Sequence, residues 1–237
     1  MIKAIFLDVD DTILDFVAFT KETMEIGFRE FGLPPYQEGM YAVFEQVNDP
    51  LWHQLERGEI TREQLFRRRW QGVLDALGFQ ADGWAFERYF RERLMRTVHP
   101  VEGADALIPW LSARYVLCAA SNASAVQQET RLGLAGYLPC FHHLFISERL
   151  GAQKPTAEFF ARCLEQLNER QMPGVEYPIQ PREILMVGDS LSSDIRGGAA
   201  AGLQTCWFNR FDHKKPDDLA IDHIIRRLDE LPAILEA

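Results

Sequence analysis

The segment Ile2–Thr12 reads IKAIFLDVDDT and decides the fold. Its mostly apolar first half, Ile2–Leu7, passes directly into acidic residues, and two later runs have the same form. Tyr115–Ala120 leads into Ser121, and Ile184–Val187 leads into a Gly-Asp pair. Continuous apolar runs of this length are typical of parallel strands that are covered on both faces. We therefore predict three buried parallel strands, each ending in small or polar residues.

Amphipathic segments follow the strands at Ser124–Leu134, Thr156–Arg170 and Ser192–Ala201. Strands that alternate with helices indicate right-handed βαβ units, so we expect an α/β fold with a Rossmann-like parallel sheet. Ligands of such sheets bind beyond the carboxyl ends of the strands. The polar residues that end the apolar runs are therefore the candidate site.

The stretch between the first two strands has helical periodicity throughout. Its predicted helices are Thr20–Phe31, Tyr41–Leu55, Arg62–Leu77 and Trp84–Thr97. We expect a core formed by residues 1–15 and 100–237, with residues 16–99 inserted as an alpha-helical cap. A separate helical domain with its own role is the alternative.

Composition narrows the classes of partner. The 237 residues are 47% hydrophobic and 25% charged, and the net charge is −10, which argues against nucleic-acid polymers and anionic membranes as partners. The four cysteines lack CxxC spacing, which indicates neither a disulfide framework nor a zinc site. No apolar run is long enough for a membrane span, and the first is too short for a signal peptide. We expect a cytoplasmic protein; the composition does not indicate its oligomeric state.

The acidic turn after the first strand is a candidate metal site. Asp8 and Asp10 are two residues apart on an extended segment and so point the same way. Neighbouring like charges are costly unless a cation neutralises them. A calcium loop counted from Asp8 would need glycine and glutamate where Ile13 and Phe19 stand. An acidic surface turn is the other interpretation.

Two more carboxylates follow the third strand. Asp189 could complete an oxygen shell for Mg2+. Asp194 comes about one helical turn later, where a carboxylate can support such a shell from behind. Taken alone, Asp194 could instead serve a helix dipole beside a serine N-cap.

Two further features suit a phosphate group. Ser121 and Asn122 precede a predicted helix, where a hydroxyl and free N–H groups can cradle an anion, although a plain helix N-cap fits as well. Lys154 stands directly before another helix, and its compact ammonium suits a phosphate oxygen that approaches a carboxylate. A solvated loop lysine is the alternative.

In chain order these features are DxDxT, a strand followed by serine, Lys-Pro and GDxxxxD, and this ordered set resembles the four motifs of the haloacid dehalogenase-like hydrolase superfamily. The resemblance covers the whole chain and implies Mg2+ as cofactor. It implies that Asp8 is the nucleophile that forms an aspartyl-phosphate, and that Asp10 is the general acid and base. The resemblance also implies that the Asp8 and Asp189 carboxylates and the Asp10 backbone carbonyl bind Mg2+, and that Asp194 supports these ligands from the second shell of the ion. It implies that Thr12 orients the turn and Asp10. The residues implied to bind phosphate are Thr12, Ser121, Asn122 and Lys154.

Several alternatives remain within and beyond this superfamily. Its dehalogenases lack the second aspartate, so Asp10 favours phosphorus over carbon–halogen chemistry. A phosphatase of sugar or other small-metabolite phosphates and a phosphomutase share all four motifs. A response-regulator receiver domain would have its acceptor aspartate after the third strand, whereas Asp8 follows the first. A non-catalytic phosphate-binding protein is the alternative from a different class.

Short patches in and around the insertion resemble the bacterial pyrimidine 5'-nucleotidase branch. They are Leu14–Phe16, Val47–Trp52, Gly58–Thr61 and Gly198–Asn209. The resemblance implies that the substrate is a small phosphorylated metabolite, a nucleoside 5'-monophosphate. Phe16 or Trp52 could stack on a base and Asn48 could hydrogen-bond its edge, although Trp52 fits equally well as a core residue of the cap.

Overall fold

The three apolar runs form neighbouring strands of one parallel sheet. The structure is a computed structural model, and residues 1–236 are described. Its strands are β1 (Ala4–Leu7), β2 (Val116–Ser121), β3 (His143–Ile146), β4 (Ile184–Gly188), β5 (Gln204–Phe208) and β6 (His223–Ile225). They lie in the order β3-β2-β1-β4-β5-β6, and every neighbouring pair is parallel. The predicted α/β fold with a Rossmann-like parallel sheet is confirmed.

Strand β1 lies between β2 and β4, with Ala4 opposite both Val116 and Ile184. Every residue of these three strands is buried, which is why their sequences do not alternate between apolar and polar residues. Because the strands are parallel and in register, their carboxyl ends meet at one edge. The sheet thereby brings the polar residues after β1, β2 and β4 together.

The sequence did not indicate β3, β5 or β6. Strand β6 has three residues, and all three strands mix polar with apolar side chains. Strands β3 and β6 are the edges of the sheet, where burial on both faces is not required. At the β3 edge, the His142 Nδ1 atom accepts a hydrogen bond from the Leu117 N–H at 2.9 Å.

Helices connect the strands, and none within residues 1–236 is long and apolar enough to span a membrane. They are α1 (Phe16–Glu30), α2 (Met40–Glu56), α3 (Arg62–Ala76), α4 (Gly83–Leu94), α5 (Ala104–Ser112), α6 (Ala125–Leu134), α7 (Ser147–Leu150), α8 (Ala157–Glu169), α9 (Gly197–Ala200) and α10 (Leu231–Leu235). Short 3-10 turns lie at Leu138–Cys140, Pro181–Glu183 and Leu228–Glu230.

The amphipathic segment Ser192–Ala201 is helical, but it is not a regular α-helix throughout. A wide π-helical turn, Leu191–Arg196, precedes the short α9. In this turn the Ile195 N–H donates to the Ser190 carbonyl, five residues back, at 3.2 Å. Single π-helical turns are often found at functional sites, and this one contains Asp194.

The chain divides into two units, one formed by Met1–Asp15 with the chain from His99 onward, the other by Phe16–Val98. The second unit consists of α1 to α4 around an aromatic core that includes Phe44, Trp70 and Phe90. Capping side chains determine where two of these helices begin: Thr61 forms a capping box for α3, and Asp82 caps α4.

Candidate active site

The loop after β1 is a tight turn that follows directly from the sheet. The Ile13 and Leu14 N–H groups both donate to the Val9 carbonyl, at 3.0 and 2.9 Å. Asp11 adopts a left-handed conformation with φ 58°, which aspartate tolerates better than most residues. This turn holds Asp8 at the carboxyl end of the central strand.

Lys154 reaches this edge from the loop before α8 and is 1% exposed. Its Nζ donates at 2.6 Å to each of three oxygens: Asp8 Oδ1, Asp194 Oδ1 and the Ala120 carbonyl. An ammonium has three hydrogens, so all of its donors are used within the protein. Lys154 is therefore the counter-ion of Asp8 and Asp194 in this structure.

Negative charge exceeds positive charge at this point, because one ammonium faces Asp8, Asp189 and Asp194. Burial, followed by the nearby charge of Asp194, raises the pKa of Asp8 to about 7 in spite of Lys154. Burial and the charge of Asp8 raise the pKa of Asp189 well above its ordinary value. For Lys154, burial alone would lower the pKa, but Asp194 and Asp8 outweigh it and raise the pKa.

This acidic cluster fits a divalent cation. Asp8, Asp189 and Asp194 each offer a carboxylate oxygen, and these oxygens lie within 4.8 Å of one another. All are hard oxygen ligands of the kind that Mg2+ takes. Both Asp194 oxygens already accept N–H groups, Oδ1 from Lys154 at 2.6 Å and Oδ2 from Ser190 at 3.1 Å. Asp8 and Asp189 are therefore the better placed to bind an ion directly.

The Thr12 hydroxyl lies among these carboxylates rather than beside Asp10. It is fully buried, 3.3 Å from Asp8 Oδ2 and 3.4 Å from Asp189 Oδ1. Orientation of the turn and of Asp10 by Thr12 remains a prediction. The hydroxyl can donate to either of the two candidate metal ligands.

Ser121 is buried at the end of β2 with its hydroxyl arranged to donate. Its Oγ accepts from the Ala123 N–H at 3.2 Å and from Gln128 Nε2 at 2.8 Å. With two N–H groups on its oxygen, the hydroxyl keeps its own hydrogen for an anionic ligand. This is the arrangement that a phosphate oxygen needs.

Asn122, expected to bind phosphate, uses both ends of its carboxamide on the Lys154 backbone. Its Nδ2 donates to the Lys154 carbonyl at 2.9 Å, and its Oδ1 accepts from the Lys154 N–H at 2.8 Å. The side chain therefore holds in place the loop that carries the buried ammonium.

Two residues of α6 that the sequence analysis did not single out contact Asp10. Gln128 Nε2 donates to Asp10 Oδ2 at 2.7 Å, and Arg131 forms a short ion pair with Asp10 Oδ1. Gln128 and Arg131 lie three residues apart on one helix face, and each is 1% exposed or less. The only sequence signal that could have identified Gln128 and Arg131 was this three-residue spacing on the helix that follows Ser121.

Two residues, Trp207 on β5 and Arg210 just after it, make further contacts that were not predicted. The Trp207 indole N–H donates to the Asp189 carbonyl at 2.8 Å. Beyond the strand, Arg210 pairs with Asp11 at 2.6 Å and with Asp15 at 2.8 Å. Together they anchor the loop after β4 and the acidic turn after β1.

The three residues expected to contact a substrate base lie in the helical unit. Phe16 packs against its aromatic core, and Trp52 packs against the smaller cluster of Leu51, Leu55 and Leu65. Asn48 is 7% exposed and its Nδ2 donates to Asp49 Oδ1 at 3.2 Å. Phe16 and Trp52 thus contribute to packing within this unit.

A parallel sheet with an acidic cluster at the carboxyl ends of its central strands matches the fold and motifs of known hydrolases. The model of the haloacid dehalogenase-like hydrolases matches residues 2–202. The chain belongs to this family, which confirms the resemblance seen in the motifs.

Relatives cover almost the whole chain. The HAD-hydrolase YfnB of Bacillus subtilis is 33% identical, with 98% of this chain and 95% of YfnB aligned. The pyrimidine 5'-nucleotidase YjjG of Escherichia coli is 30% identical over 98% of this chain and 96% of its own. PynA of Streptococcus pneumoniae, also a pyrimidine 5'-nucleotidase, is 31% identical over 87% of this chain and 84% of its own. The crystal structure of YfnB, determined with bound magnesium, superposes on the full length with a TM-score of 0.87.

Proposed function

We propose that this hydrolase is a Mg2+-dependent phosphomonoesterase that works through an aspartyl-phosphate on Asp8, and that its substrates are pyrimidine nucleoside 5'-monophosphates. The observation that carries the proposal is the position of Asp8, which lies at the end of the central strand with Lys154 Nζ 2.6 Å from Oδ1. The pyrimidine preference is supported by YjjG and PynA, which are both named pyrimidine 5'-nucleotidases.

The reaction has two displacements. In the first, an Asp8 oxygen attacks phosphorus, the bond to the ester oxygen breaks, and Asp10 gives its proton to the leaving alcohol. In the second, water attacks the aspartyl-phosphate, Asp10 takes a proton from the water, and the Asp8 carboxylate is restored. Each displacement is easier than the direct hydrolysis that they replace.

The surrounding residues stabilise the charge that this chemistry develops. Ser121 would donate its O–H to a phosphoryl oxygen, and the Lys154 ammonium lies beside the carboxylate that receives the phosphoryl group. Asp8 and Asp189 would hold Mg2+, with Asp194 behind them and the Asp10 backbone carbonyl as a further ligand. When bound, the ion would neutralise the carboxylates and polarise the phosphoryl group.

We assign base recognition to the helical unit, Phe16–Val98, acting as the cap, with Phe16, Asn48 and Trp52 as the candidate contacts. The unit is built from helices and carries an aromatic-rich core. Phe16 and Trp52 are only partly buried, so a flat base could stack on the ring surface that remains, and a carboxamide can both donate to and accept from the edge of a base.

Asp8→Asn tests the chemistry, because an amide is not a nucleophile of comparable strength. We expect steady-state hydrolysis of p-nitrophenyl phosphate to be lost, and no acid-stable phosphoenzyme to be captured. Full activity in this variant would overturn the assignment of Asp8. The matched control is Asp218→Asn, an exposed surface carboxylate that pairs with Arg196.

A panel of phosphate esters tests the substrate. We expect kcat/KM for pyrimidine monophosphates to exceed the values for purine monophosphates and sugar phosphates. If sugar phosphates are preferred by about tenfold or more, which corresponds to 1.4 kcal/mol, the nucleotidase assignment is wrong while the phosphatase remains. Dependence on a bisphosphate activator would indicate a phosphomutase instead.

A further inference from the structure

Two buried side chains of α6 hold both oxygens of the Asp10 carboxylate. Arg131 pairs with Oδ1, and Gln128 Nε2 lies 2.7 Å from Oδ2. Gln128 Oε1 in turn accepts from Arg131 at 3.1 Å, so the two α6 side chains are also joined to each other. The Asp10 side chain itself remains 30% exposed, whereas the Arg131 side chain is buried.

The donors fix the position of the Asp10 carboxyl group. A guanidinium has only N–H groups to offer, and the Gln128 contact to Asp10 is also made through an N–H. Both Asp10 oxygens therefore accept hydrogen bonds from side chains of α6. The two side chains thus restrict the orientation of the Asp10 carboxyl group.

Gln128 also joins this carboxylate to the candidate phosphate site. The same Nε2 that contacts Asp10 lies 2.8 Å from the Ser121 Oγ. One amide group with two hydrogens thus sets the spacing between the carboxylate and the hydroxyl. Since Gln128 is fully buried, packing restricts its movement.

We propose that Gln128 and Arg131 are positioning residues for the second displacement, in which Asp10 takes the proton of the attacking water. In that step the bond between water oxygen and phosphorus forms, the bond between Asp8 and phosphorus breaks, and the proton passes to Asp10. This inference rests on the proposed phosphatase function and assigns to α6 the control of phosphoenzyme breakdown.

The test compares the two displacements in Arg131→Met and Gln128→Met with p-nitrophenyl phosphate and Mg2+. Nitrophenolate leaves without a proton, so its release does not need Asp10 as an acid. We expect kcat to fall by roughly 100-fold, within the range of general base catalysis. In Arg131→Met, KM should fall in proportion, so that kcat/KM stays near the wild-type value. Rapid mixing should show a burst of about one nitrophenolate per active site, followed by slow turnover.

Three comparisons separate positioning from a general loss of structure. Arg131→Lys retains a cation and should recover part of kcat. The control is Arg149→Met. Arg149 lies on α7, and its half-exposed guanidinium pairs with Glu129 of α6, so this substitution should leave kcat unchanged. If Arg131→Met does not fold, Gln128→Met decides the question, because it keeps the length of the side chain and removes only its amide.

The inference is wrong if both variants retain the wild-type kcat, or if kcat and kcat/KM fall together without a burst. Failure of the proposed function itself has a different signature. In that case the wild-type protein neither releases nitrophenolate nor yields a phosphoenzyme on acid quenching. A wild-type phosphoenzyme that breaks down at the same rate in the variants contradicts the role of α6 alone.

Discussion

Lys154→Met should lower the free energy of unfolding by about 3–5 kcal/mol, the usual cost of removing one partner from a buried ion pair. Lys154 is 1% exposed, and its three contacts at 2.6 Å would all be lost. The fully buried Asp194 would lose its ion-pair partner, and the Ala120 carbonyl would lose a donor. For a chain of this length, each kcal/mol corresponds to roughly 2–4 °C in Tm, so we expect Tm to fall by about 6–20 °C.

The assay is thermal unfolding at pH 8 followed by circular dichroism, with EDTA and with Mg2+. Mg2+ should raise the Tm of the variant more than that of the wild type, because the ion then faces the carboxylates without a competing ammonium. Lys3→Met is the matched control, since Lys3 pairs with Glu176 and Glu183 near the surface and should contribute little to stability. If Lys154→Met and Lys3→Met lower the Tm by equally small amounts, the charge balance described for this site is refuted.

Three further outcomes are expected. The pKa of Asp8, about 7, lets protons compete with Mg2+, so calorimetry should show binding about tenfold weaker at pH 6 than at pH 8, and a constant affinity would contradict this. Gly188→Ala places a Cβ 2.2 Å from Asp194 Oδ2, so both Tm and phosphatase activity should fall. Arg69→Met leaves the fully buried Glu87 without its 2.7 Å partner and should cost about 3–5 kcal/mol in urea unfolding, with recovery in the double variant that also carries Glu87→Leu.

The strands that carry the site were predictable because burial on both faces leaves a clear signal. β1, β2 and β4 lie in the middle of the sheet, so their sequences are continuous apolar runs. β3 and β6 lie at the edges of the sheet, and their sequences mix polar with apolar residues. Edge strands of three or four residues have no periodicity long enough to distinguish them from loops.

Some helix boundaries were also predictable from the sequence, whereas others were not. α1 to α4 were predicted within a few residues, because glycines and capping side chains separate long amphipathic segments. The π-helical turn at Leu191–Arg196 was taken for regular helix. Its wider hydrogen bond depends on Ser190 and on the placement of Asp194 beside Lys154, which is 40 residues away in the chain.

By itself, the sequence determined the family, the parallel sheet and the set of polar residues at its carboxyl edge, since each follows from a local pattern and from the order of the motifs. Only the tertiary structure decided how those residues are paired. It directed the Asn122 carboxamide to the Lys154 backbone, and it placed Gln128 and Arg131 on Asp10, 118 and 121 positions away. Such contacts depend on how α6 packs and on the direction of each side chain, because a hydrogen bond is made only where donor and acceptor meet in space.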